Sequence, residues 1–139
     1  MADTVVVVDT GLGITTAAIL ALAGAAPAFI DWGVGTTAPD PTDTAMETLT
    51  GCPEVRTDAT GTDSVVTTDS TDDTYRVVGT IVKTTSAAAI TEVGLFNSAG
   101  AGGPPPTGGT MFLHATFSAI NLEIGNSIEF TIDTKYAQG

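Results

Sequence analysis

Basic residues are almost missing from this chain. Across 139 residues only Arg56, Arg76, Lys83 and Lys135 are cationic, against 16 Asp and Glu, for a formal net charge of −12. Binding to nucleic acid needs clustered Lys and Arg to displace counterions from phosphates, so DNA and RNA are set aside as partners. Anionic lipid headgroups are set aside on the same ground. Cysteine is scarcer still. Cys52 is the only one, so no intrachain disulfide forms, and beside Pro53 it reads as a small, partly buried side chain. His114 is the only histidine, which leaves no ligand spacing for zinc and one candidate base for nucleophilic catalysis. It falls mid-strand with no serine elbow in the sequence, so it reads as structural. Gly11-Leu-Gly13 and Gly33-Val-Gly35 are too short for nucleotide loops, and no Gly-Lys-Ser/Thr follows either. No catalytic, cofactor-binding or metal residue is assigned, and no enzyme activity is expected.

Long hydrophobic runs are lacking too. The stretch Ile14 to Ile30 is broken by Gly24 and Pro27 and is too short to span a bilayer. Ala23-Gly-Ala25 resembles a signal cleavage site, but the preceding Met-Ala-Asp-Thr lacks the positive charge a secretory signal requires. No membrane partner is expected.

What the chain has is Thr, Asp and apolar β-formers. Asp outnumbers Glu about two to one. That balance fits a Thr-rich β protein with Asp in its turns, or a protein working in high salt, where screening makes a like-charged surface tolerable. The length predicts one domain over residues 1–139. Thr4 to Val8 is β-branched and strand-like, and Asp9-Thr10-Gly11 reads as a turn. Thr15 to Ala23 favours a short helix, capped by Gly24 and stopped by Pro27. It has almost no polar face, so it is expected to be buried, partly against a neighbouring subunit. Residues 1–27 therefore form the expected assembly contact.

Ala28 to Gly33 resumes a strand, with Trp32 as core anchor. Asp43 to Glu47 is expected to form one helical turn with Asp43 as N-cap. Thr57 to Thr74, poor in large apolar residues, reads as a long exposed hairpin or an irregular loop. Tyr75 to Lys83, Ala88 to Phe96, Met111 to Phe117 and Ser127 to Tyr136 are strands. In the last, Ile128, Phe130 and Ile132 share one face, and Glu129, Thr131 and Asp133 the other. The fold class is all-β, a mainly antiparallel sandwich of jelly-roll-like type with one short N-terminal helix.

Some residues admit sharper readings. Asp63, Asp69, Asp72 and Asp73 carry hard oxygens that suit Ca²⁺, though at no calcium-loop spacing. Glu92 and Glu129, both on strands, are compatible with paired carboxylates but read as solvated. Glu92 also interrupts an apolar strand near Gly94, so a bond to neighbouring backbone or to a subunit is expected of it. Phe112 falls on the outer face of its strand, as an interface residue or beneath the Pro104-Pro-Pro106 loop. The interface candidates are Ile19, Leu20, Leu22, Phe29, Phe112 and Tyr136.

Six pieces carry a family resemblance: Asp31-Trp-Gly-Val-Gly-Thr-Thr37, Asp43-Thr-Ala-Met-Glu47, Tyr75-Arg-Val-Val-Gly-Thr80, Ile90-Thr-Glu-Val-Gly-Leu-Phe96, Phe117-Ser-Ala-Ile-Asn121 and Gly125-Asn-Ser-Ile128. In order and spacing they resemble a group of small virion proteins of tailed bacteriophages. Thr-Glu-Val-Gly-Leu-Phe also resembles a segment of tail-collar and tail-fibre proteins. The resemblance implies a β-sandwich that assembles on a virus particle. One expectation is a capsid cement or decoration protein on the capsid exterior, partnered by the major capsid protein and by itself as a dimer or trimer. The alternative is a tail component that binds host glycans through Phe112, Tyr136 and the Gly100 to Gly109 loop. The acidity and the uncharged first helix depart from the pattern. A soluble enzyme or extracellular binding domain unrelated to phage is the third reading.

Overall fold

The computed structural model describes residues 8–21 and 26–136. Along the chain run α1 (Asp9–Leu20), β1 (Phe29–Gly33), β2 (Thr57–Asp58), β3 (Ser64–Val66), β4 (Thr74–Val82), β5 (Ala88–Phe96), β6 (Met111–Leu122) and β7 (Ser127–Lys135). The strands form two antiparallel sheets, ordered β2-β1-β5-β6 and β3-β4-β7. This is the all-β, sandwich-like architecture with a single short helix that the periodicity predicts. The two inner faces meet in a core containing Ile30, Trp32, Tyr75, Val77, Ile90 and Leu95, all fully buried. Burying each large apolar side chain of this kind is worth roughly 1.5–3 kcal/mol. In β7 the sequence alternation appears as alternating burial.

The short turn between β6 and β7 does not make a hairpin. Gly125 N–H donates to the Lys83 carbonyl, and Lys83 N–H donates to the Asn126 carbonyl. The turn is thereby pinned to the end of β4, and β7 pairs with β4 from Thr74↔Lys135 to Val82↔Ser127. β6 stays on β5. The chain changes sheets within four residues, so β6 and β7 become the facing edge strands of the two sheets.

The first sheet has a second cover. β1 and β5 are buried on both faces. Their inner side meets the second sheet, and their outer side meets the irregular segments 34–56 and 97–110. Two glycines make that cover possible. A Cβ on Gly35 would sit 2.7 Å from Glu92 Oε1 and 2.5 Å from Glu47 Oε2, and one on Gly94 would sit 2.5 Å from Met46 Sδ. Real Cβ atoms do not approach so closely, so glycine is what lets the covering chain lie directly on the strand.

Several expectations are corrected. The helix starts at Asp9 and ends at Leu20, not Thr15 to Ala23. Turn-forming residue types at positions 9–11 are tolerated there because the first N–H groups of any helix lack intrahelical partners. The Gly24 cap and Leu22 lie outside the described residues. So does the strand expected at Thr4 to Val8, except Val8 itself, which is extended (φ −77°, ψ 162°). Asp43 to Glu47 forms no helical turn. Its backbone is drawn instead to Glu92, and Asp43 accepts from the Asp40 N–H. Thr57 to Thr74 is neither of its two expected forms in full: it holds the short β2 and a β3–β4 hairpin that turns at Ser70–Asp73.

Candidate assembly surface

From Ile14 onward the helix presents an uncharged outer face. From Ile14 to Ala21 it carries no ionisable residue. Ile14 is 72% exposed and Leu20 38%, and Ala17, Ala18 and Ala21 are exposed between them. The opposite side faces β3 and β4. Thr16, fully buried, donates its hydroxyl to the Asp72 carbonyl at 2.6 Å, which ties the helix to the β3–β4 turn. Ile19 packs against the core of its own chain. The other candidates divide. Phe29 is half-buried in β1, opposite Phe96 and Asp58. Tyr136 is half-buried, its N–H donating to the Asp73 carbonyl. Phe112 is 42% exposed. It sits at a bulge: Leu113 pairs with Leu95 and Met111 with Phe96, leaving Phe112 unpaired between them. It lines a cavity of about 430 Å³ with Pro39, Asp40, Pro41, Asp43 and His114, away from the Pro104–Pro106 loop.

Between β6 and β7 the sandwich is open. Their outward edges have no strand partner among the described residues. Between them runs a groove of about 660 Å³, lined chiefly by Leu113, Ala115, Phe117, Ile120, Ile128 and Phe130. Phe117 and Phe130 face each other across it, ring centroids 6.2 Å apart. None of these side chains is fully buried. At the Phe112 end, Leu113 is shared with the smaller cavity, which Thr134 also lines. Thr134 Oγ1 is, among the described residues, the one buried side-chain polar atom with no hydrogen-bond partner. The opposite flank is closed. There Thr57 and Thr62 of the β2 region donate hydroxyls to the Thr80 and Val78 carbonyls of β4.

Much of the polar chemistry lies on the covered face of the first sheet, with a further cluster around Glu54 that reaches Trp32 of the core and Lys83 after β4, and it is spent internally. Glu92, fully buried, accepts from the N–H groups of Gly35 (2.9 Å), Glu47 (3.0 Å) and Thr48 (2.9 Å). This is the backbone bond expected of it; its solvated reading is overturned. His114 completes the cluster, with Nε2 2.9 Å from Glu92 Oε2 and Nδ1 2.7 Å from Asp43 Oδ2. A carboxylate only accepts, so when both partners are ionised the two ring nitrogens both donate and the ring carries a positive charge. Burial pushes the His114 pKa down, but the bonds to Asp43 and Glu92 outweigh it and the net shift is upward. Arg56 reaches Asp31 at 3.1 Å, donates to the carbonyls of Ser98 and Gly108, and lies 3.6 Å over the Phe96 ring. It staples the 97–110 segment to the sheet. Glu54 receives Lys83 (2.7 Å), the Thr84 N–H (2.9 Å) and the Trp32 indole N–H (3.2 Å). Burial raises the Glu54 pKa, yet these donors prevail and hold it at about 2.

His114 has no nucleophile at hydrogen-bond distance, because both nitrogens are on carboxylates. Cys52 is buried, and burial pushes its thiol up to about 11, away from the reactive thiolate. The Asp residues considered for Ca²⁺ are separated by local partners. Asp73 takes the N–H groups of Thr68, Asp69 and Ser70; Asp63 takes Gly61 and the Tyr75 hydroxyl; Asp69 pairs with Lys135. Among the described residues no group of three or more His, Cys, Asp or Glu is placed to hold a metal ion, and no helix is long and apolar enough to cross a membrane.

Comparison with family models, curated proteins and solved structures finds no match. The surface must be read from its own geometry. Of the interface candidates chosen by residue type and strand parity, Leu20 and Phe112 are exposed. Sequence reasoning missed the β6–β7 groove, whose residues look like ordinary core positions until the two strands are assigned to different sheets.

Proposed function

We propose that this chain is a structural protein of a tailed-phage particle, a capsid cement or decoration protein that binds the major capsid protein on the shell exterior. The observation that carries the reading is the uncharged outer face of α1 from Ile14 to its C-terminal end, with Ile14 and Leu20 exposed on a protein of net charge −12. A monomer gains nothing from exposing such a face, whereas a partner surface would bury it. The internally satisfied polar groups around Glu92, Arg56 and Glu54 fit a rigid fastener. The virion resemblance of the sequence pieces supports the same reading. Cement acts by adding buried area between neighbouring capsomers. A standard contact buries roughly 1,600 Å² in total, and repetition over the lattice makes many modest contacts collectively strong.

The test is co-sedimentation of purified protein with capsids that lack it. Wild type is expected to saturate the shell, and Ile14→Asp with Leu20→Asp to stay in the supernatant while keeping its circular dichroism spectrum. Full decoration by that double variant would refute the assignment.

A second reading is a tail-collar or tail-fibre component that binds glycan. What favours it is Phe112, exposed beside the carboxylates of Asp40 and Asp43 in one cavity, an aromatic-plus-acid lining that suits a sugar. Copy number separates the two. Capsomer-scale occupancy by gel densitometry supports cement, and the few copies typical of a tail support the second.

A further inference from the structure

We propose that the β6–β7 groove is a strand-acceptor site, and that its occupant is the Thr4–Val8 segment of a neighbouring copy of this chain. The inference deepens the self-association in the capsid reading but needs no capsid. Three observations carry it. First, the groove lies between two strand edges, β6 and β7, that have no partner among the described residues, and it is lined chiefly by Leu113, Ala115, Phe117, Ile120, Ile128 and Phe130. Free edges offer backbone donors and acceptors, and the lining offers apolar pockets; together these are the two requirements of strand addition. Second, the Thr134 hydroxyl is buried beside the Phe112 end of that groove without a partner. A buried hydroxyl costs free energy unless something bonds to it, and an incoming backbone or the Thr4 hydroxyl supplies that bond. Third, the chain itself contains a matching ligand. Thr-Val-Val-Val-Val is β-branched throughout, uncharged, and apolar at successive positions. Such a run suits a strand covered on both faces. It enters α1 through Val8, whose backbone is already extended.

A neighbouring copy, not the same chain, is the donor. α1 packs on β3 and β4, and β3 lies on the far side of β4 from β7. The helix that carries the segment therefore has its main contacts on β3 and β4, and none of substance on the β6 or β7 edges of the groove. The donor segment's lack of charge also matters. Two chains of net charge −12 repel, and an uncharged segment adds no repulsion of its own to Glu129 and Asp133, which also line the groove.

The test uses the purified full-length chain. One preparation carries Val6→Cys and a second, tagged, carries Thr131→Cys on the exposed rim of the groove. Cys52 is buried and stays out of exchange. Mixing under mild oxidation is expected to give a disulfide-linked heterodimer of one chain of each kind, and neither preparation alone to give this product in quantity. In the double variant at high dilution, a predominantly intramolecular disulfide would overturn the neighbouring-copy assignment. Separately, Val6→Asp is expected to weaken self-association about 100-fold by sedimentation, with circular dichroism unchanged. A synthetic peptide covering residues 2–9 is then expected to bind the Val6→Asp chain, but not the same chain carrying Phe130→Asp as well. A wild-type monomer at every concentration, or a dimer indifferent to Val6→Asp, would overturn the proposal. The second result would mean that the edges pair directly, copy against copy.

Discussion

In the first sheet, β1 and β5 are covered on both faces; along the β6–β7 groove, two strands of the same sandwich are covered on one side only. The covered region is held by polar anchors. Glu92 gathers three backbone N–H groups, Arg56 takes two carbonyls, and Glu54 takes Lys83 and Trp32. The groove is lined chiefly by aliphatic and aromatic side chains, and the buried Thr134 hydroxyl beside its Phe112 end has no partner among the described residues. Where the chain covers itself it specifies the covering segment by directional bonds. Where it leaves itself uncovered it offers area, which is generic to apolar surfaces and available to another molecule. Buried polar groups must be fully satisfied within the fold, so they mark the region that does not open.

The comparison breaks most readily at Glu92. Glu92→Ala removes the acceptor of three N–H groups and strands the His114 cation, so a loss of about 3–5 kcal/mol is expected in urea unfolding. A smaller loss, near 1 kcal/mol, would mean that segment 34–56 is held by packing instead. Lys83→Met is expected to cost a similar ~3–5 kcal/mol by leaving Glu54 buried and unpaired, and the double variant Lys83→Met/Glu54→Leu to recover most of it. No recovery in the double variant would show that the pair positions the Thr84 turn and is more than two charges cancelling.

His114 sharpens the comparison through pH. Its folded pKa is raised, with burial opposing and the bonds to Asp43 and Glu92 prevailing. Its contribution is therefore complete below the unfolded value of about 6.5 and is lost as pH rises through the higher folded value. Asp43 behaves oppositely. The bonds from the Asp40 N–H and from His114 hold its carboxyl below the usual range, so its share is lost as pH falls through that lowered value. Melting temperature should decline as pH is raised from about 6.5, and His114→Gln should flatten the decline at a cost of about 1–2 kcal/mol at the lower pH. An unchanged profile in that variant would remove His114 as the latch. Phe130→Ala in the groove is expected to cost only about 1 kcal/mol in the dissociated chain, less than the 3–5 typical of a buried Phe, because the ring is only partly buried. The smallest effect belongs to Arg76→Ala, which removes an exposed pair with Asp133 across β4 and β7. Unfolding midpoints should barely move, since surface pairs contribute little.

Much of the sandwich was legible in the sequence. Ile128, Phe130 and Ile132 alternate because β7 has one wet face, and Trp32 is buried as its size suggests. Glu92 stood out as a charge inside an apolar strand. Its partners were not legible, since the N–H groups of Gly35, Glu47 and Thr48 carry no residue signature and come from far along the chain. Asp43 misled for a related reason: a good N-cap residue was claimed by His114, which comes 71 positions later. The groove was hidden because alternation shows which side chains point inward but not which strands pair. That choice fell to Gly125 and Lys83, whose backbone bonds send β7 to β4.

Hydrogen exchange on the purified chain across a concentration series tests the contrast most directly. The amides of β1 and β5 should exchange slowly at every concentration, whereas outward-edge amides of β6 and β7 should exchange quickly when dilute and slow together as association proceeds. Protection of β6 and β7 that is already full at the highest dilution, or that never increases, would contradict the division into a self-covered region and a surface awaiting a partner.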